Sequence, residues 1–146
     1  MQADVTILTV AHGIQLAVAP VFLLTGIGAL LGVLTSRLSR IIDRGRFLEE
    51  RLGGARKAQR AEIVGELVTL TKRRKLINLA ISLCTICALL ICIVIVTLFA
   101  AAFLSFDVSH PIGLMFIIAM LALIGGLVSF LREVLLATSS AHFVTH

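Results

Sequence analysis

Three stretches of this sequence contain no Asp, Glu, Lys or Arg: residues 5–36, 76–106 and 108–131. Each exceeds the roughly 18–20 residues that an α-helix needs to cross the hydrocarbon core of a bilayer. The sequence therefore predicts an all-α, three-span transmembrane protein, with spans at about 14–36, 76–104 and 112–131. A chain of 146 residues with three such spans is read as a single membrane domain, 1–146. Composition agrees: hydrophobic residues make up 59% and charged residues 14%, and mean hydropathy is +1.09. A soluble domain averages about 45–50% apolar and about 25% charged, and a disordered chain has the opposite balance to this one.

A cleaved leader needs a basic start and a short apolar core. The first seven residues carry Asp4 and no Lys or Arg, and the apolar stretch is too long, so the N-terminal segment is expected to be retained as a span. Residues 1–13 read as its outer end or as a short interfacial helix, and Pro20 is expected to kink it.

Of 13 Lys and Arg, 12 lie between Arg37 and Lys75. With Asp43, Glu49, Glu50, Glu62 and Glu66 they give segment 37–75 a local net charge of +7, whereas the second connection, 105–111, offers only Asp107 and His110. Loops rich in Lys and Arg stay cytoplasmic. The N-terminus is accordingly expected outside, and segment 37–75 and the C-terminus inside. Nucleic acid is not the expected partner, because Phe47 is the one aromatic residue among these cations and stacking readout needs more.

Segment 37–75 carries helical patterning of its own. Leu38, Ile41, Gly45, Leu48 and Leu52 recur at intervals of 3, 4, 3 and 4, Gly53-Gly54 breaks the pattern, and Ile63, Leu67 and Leu70 resume it, with Val64 and Val68 expected to widen the stripe. No proline occurs there. An antiparallel helical hairpin is expected in the cytoplasm between spans 1 and 2, its arms continuing the two spans. Arg46 and Glu50 are four apart, and Asp43 lies among Arg40, Arg44 and Arg46. This reads either as a solvated face of weak pairs or as a charge network between hairpins of neighbouring subunits.

Candidate functional positions are sparse. Gly26, Gly28 and Gly32 in the first span, and Gly125 and Gly126 in the third, are small-residue positions that permit close helix approach within or between subunits. His12, Gln15, Ala19, Phe22, Gly26, Ala29 and Val33 follow one helical face towards Arg37 and Arg40. If first spans surrounded an axis, that face would line a narrow path with an amide ring outside and a basic inner mouth, which favours anions; otherwise Gln15 bonds a neighbouring helix. The candidate pore or inter-subunit polar positions are His12, Gln15, Arg37, Arg40, Asp43 and Arg44. Lys72, Arg73, Arg74 and Lys75 abut the second span and are expected to contact anionic lipid.

Cys84-x-x-Cys87, with Cys92, lies in an apolar span. Redox cysteines need access and a lowered pKa, and the chain has no second CxxC to complete a zinc site, so these cysteines read as small packing residues. Asp4, His12, Asp107 and His110 are candidate external metal or pH-sensing groups whose spacing encodes no site. His110-Pro111 reads as the turn before the third span, and His142 and His146 as an exposed tail. The three apolar stretches hold no Asp, Glu, Lys or Arg to act as acid, base or proton relay, and no phosphate loop or nucleophile triad is suggested, so no enzyme, metal or cofactor is expected. Three spans also cannot form two equal inverted halves.

The run from His12 to Leu24 (HGIQLAVAPVFLL), then Leu34-Thr35-Ser36-Arg37-Leu38-Ser39-Arg40-Ile41-Ile42-Asp43-Arg44, and Lys72-Arg73-Arg74 before an apolar span, together resemble a family of small bacterial three-span membrane proteins whose domain has no assigned function. The resemblance covers nearly the whole chain. It implies a bacterial inner-membrane location and supplies no activity or catalytic residue. The expected role is a non-enzymatic homo-oligomeric scaffold or accessory subunit, in contact with membrane lipids and an unidentified cytoplasmic protein. The alternative is a homo-oligomeric channel lined by span 1.

Overall fold

The computed structural model of the chain describes residues 2–104 and 109–141, and these form three α-helices: α1 (Gln2–Leu52), α2 (Lys57–Leu104) and α3 (Ser109–Ala141). Each is long and apolar enough to cross a membrane. Hydroxyl side chains within the apolar stretches are satisfied by their own helix: Thr25, Thr35, Thr97 and Ser129 donate to the carbonyls of Val21, Leu31, Ile93 and Gly125, four residues back. That removes the penalty for an unpaired hydroxyl where water is absent.

α1 begins at Gln2 and continues through Pro20 as one helix with residues 14–36. No separate interfacial helix precedes the span, and the proline does not end it. The break falls at Gly53-Gly54, where the Gly54 N–H donates to the Arg51 carbonyl at 3.2 Å. Neither glycine occupies the left-handed region; the pair interrupts the helix through the entropy cost of ordering two residues without a side chain. Arg56 then caps α2. Its carbonyl accepts from the Arg60 N–H at 3.0 Å, and its N–H donates to Gln59 Oε1 at 3.4 Å, the reciprocal half of a capping box. α3 starts at Ser109, so His110 and Pro111 belong to its first turn rather than to a preceding turn; proline is tolerated there because its missing N–H has no partner to lose. α3 also continues ten residues past the expected end of its span at 131, to Ala141.

Contacts divide the chain into two compact units. One comprises the described residues through Leu30 and those of Leu83–Ile124. Its buried residues are Ala17 and Ile27 on α1, Cys84, Cys87, Ile91 and Val94 on α2, and Ala119 on α3. The α2 set recurs at 3, 4 and 3, a coiled-coil-like seam, and four of the seven side chains are Ala or Cys. Small side chains bring helix backbones close, so dispersion contacts hold a packing that gains no hydrophobic drive in lipid.

The second unit comprises Leu31–Ser82 and the described residues from Gly125 onward. α1 buries Leu34, Ile41 and Leu48, seven residues apart, and α2 buries Leu70, Ile77 and Ala80. Leu38, Gly45 and Leu52 flank that seam half-buried. Val64 and Val68 are 47% and 50% exposed, so the α2 stripe is narrower than its apolar residues imply. From α3 come Gly126, Ser129 and Glu133.

Candidate functional site

The period of seven explains an acid in a core. On α3, Ala119, Gly126 and Glu133 are seven apart and all buried, with Ser129 between the last two on the same face. Glu133 thus occupies a position where an apolar residue is normally found, and it is fully buried. Two arginines from the other helices meet it. Arg37 Nη1 on α1 donates to Oε2 at 3.0 Å. Arg73 on α2 donates to Oε1 through Nε at 3.0 Å and Nη2 at 2.8 Å. Both carboxylate oxygens are therefore engaged, one by each helix. The Arg37 guanidinium also lies over the Phe130 ring, 5.3 Å from its centroid. Phe130 is three residues before Glu133, so one face of α3 supplies both the anion and the π surface that receive Arg37.

The two arginines keep water contact, with side chains 38% and 22% exposed. Their stems are covered while part of each charge remains hydrated, which lowers the cost of holding three charges together. The cluster carries a formal +1. Beside it, Arg37, Arg40, Ile41, Leu70 and Arg73 line a groove of about 260 Å³. The arrangement does two things: it crosslinks α1, α2 and α3 at one level, and it leaves a cationic surface next to that crosslink.

Of the positions singled out in the sequence, only Arg37 and Arg73 enter this cluster. Arg40 is exposed and faces the groove; Asp43 is exposed. Arg44 reaches across to α2, where its Nε donates to Glu66 Oε1 at 2.8 Å. That hydrogen bond, reinforced by the Glu66 charge and opposed by slight desolvation, raises the Arg44 pKa above its already high ordinary value. Arg44 and Arg51 both lie over Phe47, at 5.6 and 4.5 Å. Arg46 and Glu50 are exposed.

Lys72, Arg74 and Lys75 are exposed, whereas Arg73 turns inward to Glu133. His12 and Gln15 are exposed, as are Ala19, Phe22, Gly26 and Ala29 along the same face of α1. A Cβ at Gly26, Gly28 or Gly32 would meet nothing within 4 Å, whereas Gly126 is buried and Gly125 half-buried. Cys84 and Cys87 occupy core positions as free thiols, and Cys92 is exposed. Among the described residues no group of three or more His, Cys, Asp or Glu is placed to hold a metal ion. His110 is exposed; Asp107, His142, His146 and the Asp4 side chain lie outside the described residues.

Glu133, Phe130 and Glu66 did not stand out in the sequence. Glu133 lies two residues past the third apolar stretch and adjoins Arg132, which makes it look like an exposed interfacial charge. Extending the spacing from Ala119 through Gly126 is the signal that places it inside.

The fold and this cluster define an all-α, multi-pass integral membrane protein with a charged inter-helix crosslink. By its sequence the chain belongs to the family of proteins of unknown function DUF2721, whose model matches residues 17–143 and so includes all three members of the cluster. No curated protein and no solved structure matches the chain.

Proposed function

We propose that this protein is a non-enzymatic, homo-oligomeric scaffold or accessory subunit of the bacterial inner membrane, with its N-terminus outside and a basic helical hairpin and C-terminus in the cytoplasm. The observation that carries the self-association is the outward face of α1. Gly26 has open space at the Cβ position, and Gln15, about three helical turns earlier on the same exposed face, presents an amide near one end of the apolar stretch. A close-approach residue and a polar side chain on one outward face fit another helix better than they fit lipid. The non-enzymatic reading is supported by Glu133, whose carboxylate oxygens are both committed to arginines rather than left to move a proton. The orientation rests on the Lys and Arg excess of segment 37–75. The hairpin would meet a cytoplasmic protein through exposed charges such as Arg40.

The test is the subunit count in lipid nanodiscs by native mass spectrometry, for the wild type and for Gly26→Ile. A defined oligomer that falls to monomers in the variant supports the proposal; a monomeric wild type overturns it. The second reading, a channel lined by α1, is favoured by the exposure of His12 and Gln15 on one face. It requires a closed ring of at least about four helices around the axis and a conductance that changes in Gln15→Leu while the subunit count holds.

A further inference from the structure

The four consecutive cations at the start of the second apolar stretch do not act alike. Arg73 is drawn to Glu133. Arg74 lines a groove with α1 residues that include Ile41, Gly45 and Glu49. Lys72 and Lys75 remain, one helical turn apart, with Leu76 beside them. They border an open groove of about 580 Å³ completed by Arg132, Leu135 and Leu136 of α3. Each helix thus contributes residues at i, i+3 and i+4, which fall on one face: Lys72, Lys75 and Leu76 on α2, and Arg132, Leu135 and Leu136 on α3. The lining holds three cations, three leucines and no acid. The nearest carboxylate in sequence, Glu133, is buried and already engaged.

We propose that this groove is a binding site for an anionic phospholipid, its phosphate held by Lys72, Lys75 and Arg132 and its apolar part lying along Leu76, Leu135 and Leu136. Charge complementarity selects the anion. The leucine walls select an occupant with hydrocarbon attached, which a free phosphate lacks. Position supports the same occupant: Lys75 and Arg132 are the residues at which two of the uncharged stretches end, where headgroups meet a spanning helix. Leu135 is 59% exposed and Leu136 38%, apolar surface that an acyl chain would cover. The inference goes beyond the scaffold reading and does not depend on it, because every lining residue comes from a single chain.

The test is binding of dioctanoyl phosphatidylglycerol and dioctanoyl phosphatidylcholine to the full-length protein in a neutral detergent, followed by calorimetry. The wild type is expected to prefer the glycerol lipid. Lys75→Gln and Arg132→Gln should each weaken that lipid about fivefold and leave the choline lipid unchanged. Arg60→Gln removes an exposed cation that is not part of the groove and should leave both affinities intact. Folding of each variant is checked by its unfolding temperature without lipid. Equal affinities for the two lipids overturn the proposal. So does an equal loss in Arg60→Gln, which would mean general surface charge, or displacement of the lipid by millimolar inorganic phosphate, which would mean a simple anion site.

Discussion

The two compact units solve the same packing problem with opposite chemistry. In the unit built on Leu83–Ile124, the α2 seam is Cys84, Cys87, Ile91 and Val94, and the same unit buries Ala17, Ile27 and Ala119. Nothing in that set carries charge, and small side chains let the helices approach. In the unit built on Leu31–Ser82, the seven-residue spacing of α3 ends on a carboxylate, and two arginines are recruited to satisfy it. Dispersion packing tolerates substitutions of similar volume and offers many near-equivalent registers. A buried carboxylate with a donor on each of two other helices is satisfied in one register only. Such a group adds little net stability against a well-packed apolar replacement. What it supplies is alignment, placing α1, α2 and α3 at a single level.

The comparison is broken most severely by removing the anion alone. Glu133→Leu leaves Arg37 and Arg73 crowded without a partner, and the unfolding free energy should fall by about 3–5 kcal/mol, nearer the lower figure because both arginines keep water contact. Thermal unfolding in nanodiscs reads this. In the other unit the vulnerable property is volume. Cys84 is fully buried, and Cys84→Leu should cost about 1–3 kcal/mol through overpacking, seen as a lowered unfolding temperature with helix content retained.

A smaller effect is expected at Arg44 and Glu66, whose side chains are 49% and 41% exposed. Arg44→Ala should cost about 0.2–1 kcal/mol, and the loss should shrink in high salt. The raised Arg44 pKa fixes the sign of its pH dependence. The stabilisation is complete below the ordinary arginine range and is lost only as pH climbs through the raised value, so this arginine contributes no pH dependence near neutrality. Of similar size and opposite sign, Gly32→Ala should raise the stability of one chain by about 0.5–1 kcal/mol, since its added Cβ touches nothing within 4 Å and alanine loses less backbone entropy in a helix. A loss there would have to come from contact with another chain.

Much of this architecture is legible in the sequence, because it is written in local patterns. Three uncharged stretches give three helices. The 3-4-3-4 series from Leu38 to Leu52 names the buried side of α1, with Ile41 and Leu48 deepest. Gly53-Gly54 gives the break between α1 and α2. Cys84 and Cys87 read correctly as packing residues because their spacing of three is also a seam spacing, whereas Cys92, five residues on, is exposed. Legibility fails where two signals compete. Val64 and Val68 are apolar, but they sit on the far side of a narrow stripe and remain exposed. The largest miss is Glu133. Its chemistry argues for the surface while its spacing from Ala119 and Gly126 argues for the core, and only the partners brought by two other helices decide the matter. Arg73 is its counterpart, one cation of four in a row that points inward while its neighbours do not. No linear reading separates those four, because the separation depends on which side of α2 faces α3.

The central claim is that Glu133 aligns three helices through two arginines. The direct measurement is thermal unfolding in nanodiscs of Glu133→Leu beside the triple replacement Arg37→Leu, Glu133→Leu and Arg73→Leu. If the cluster is a mutually dependent crosslink, the single variant loses several kcal/mol and the triple variant recovers most of it, because no unpaired charge remains. A single variant as stable as the wild type, or a triple variant no better than the single one, would contradict the account.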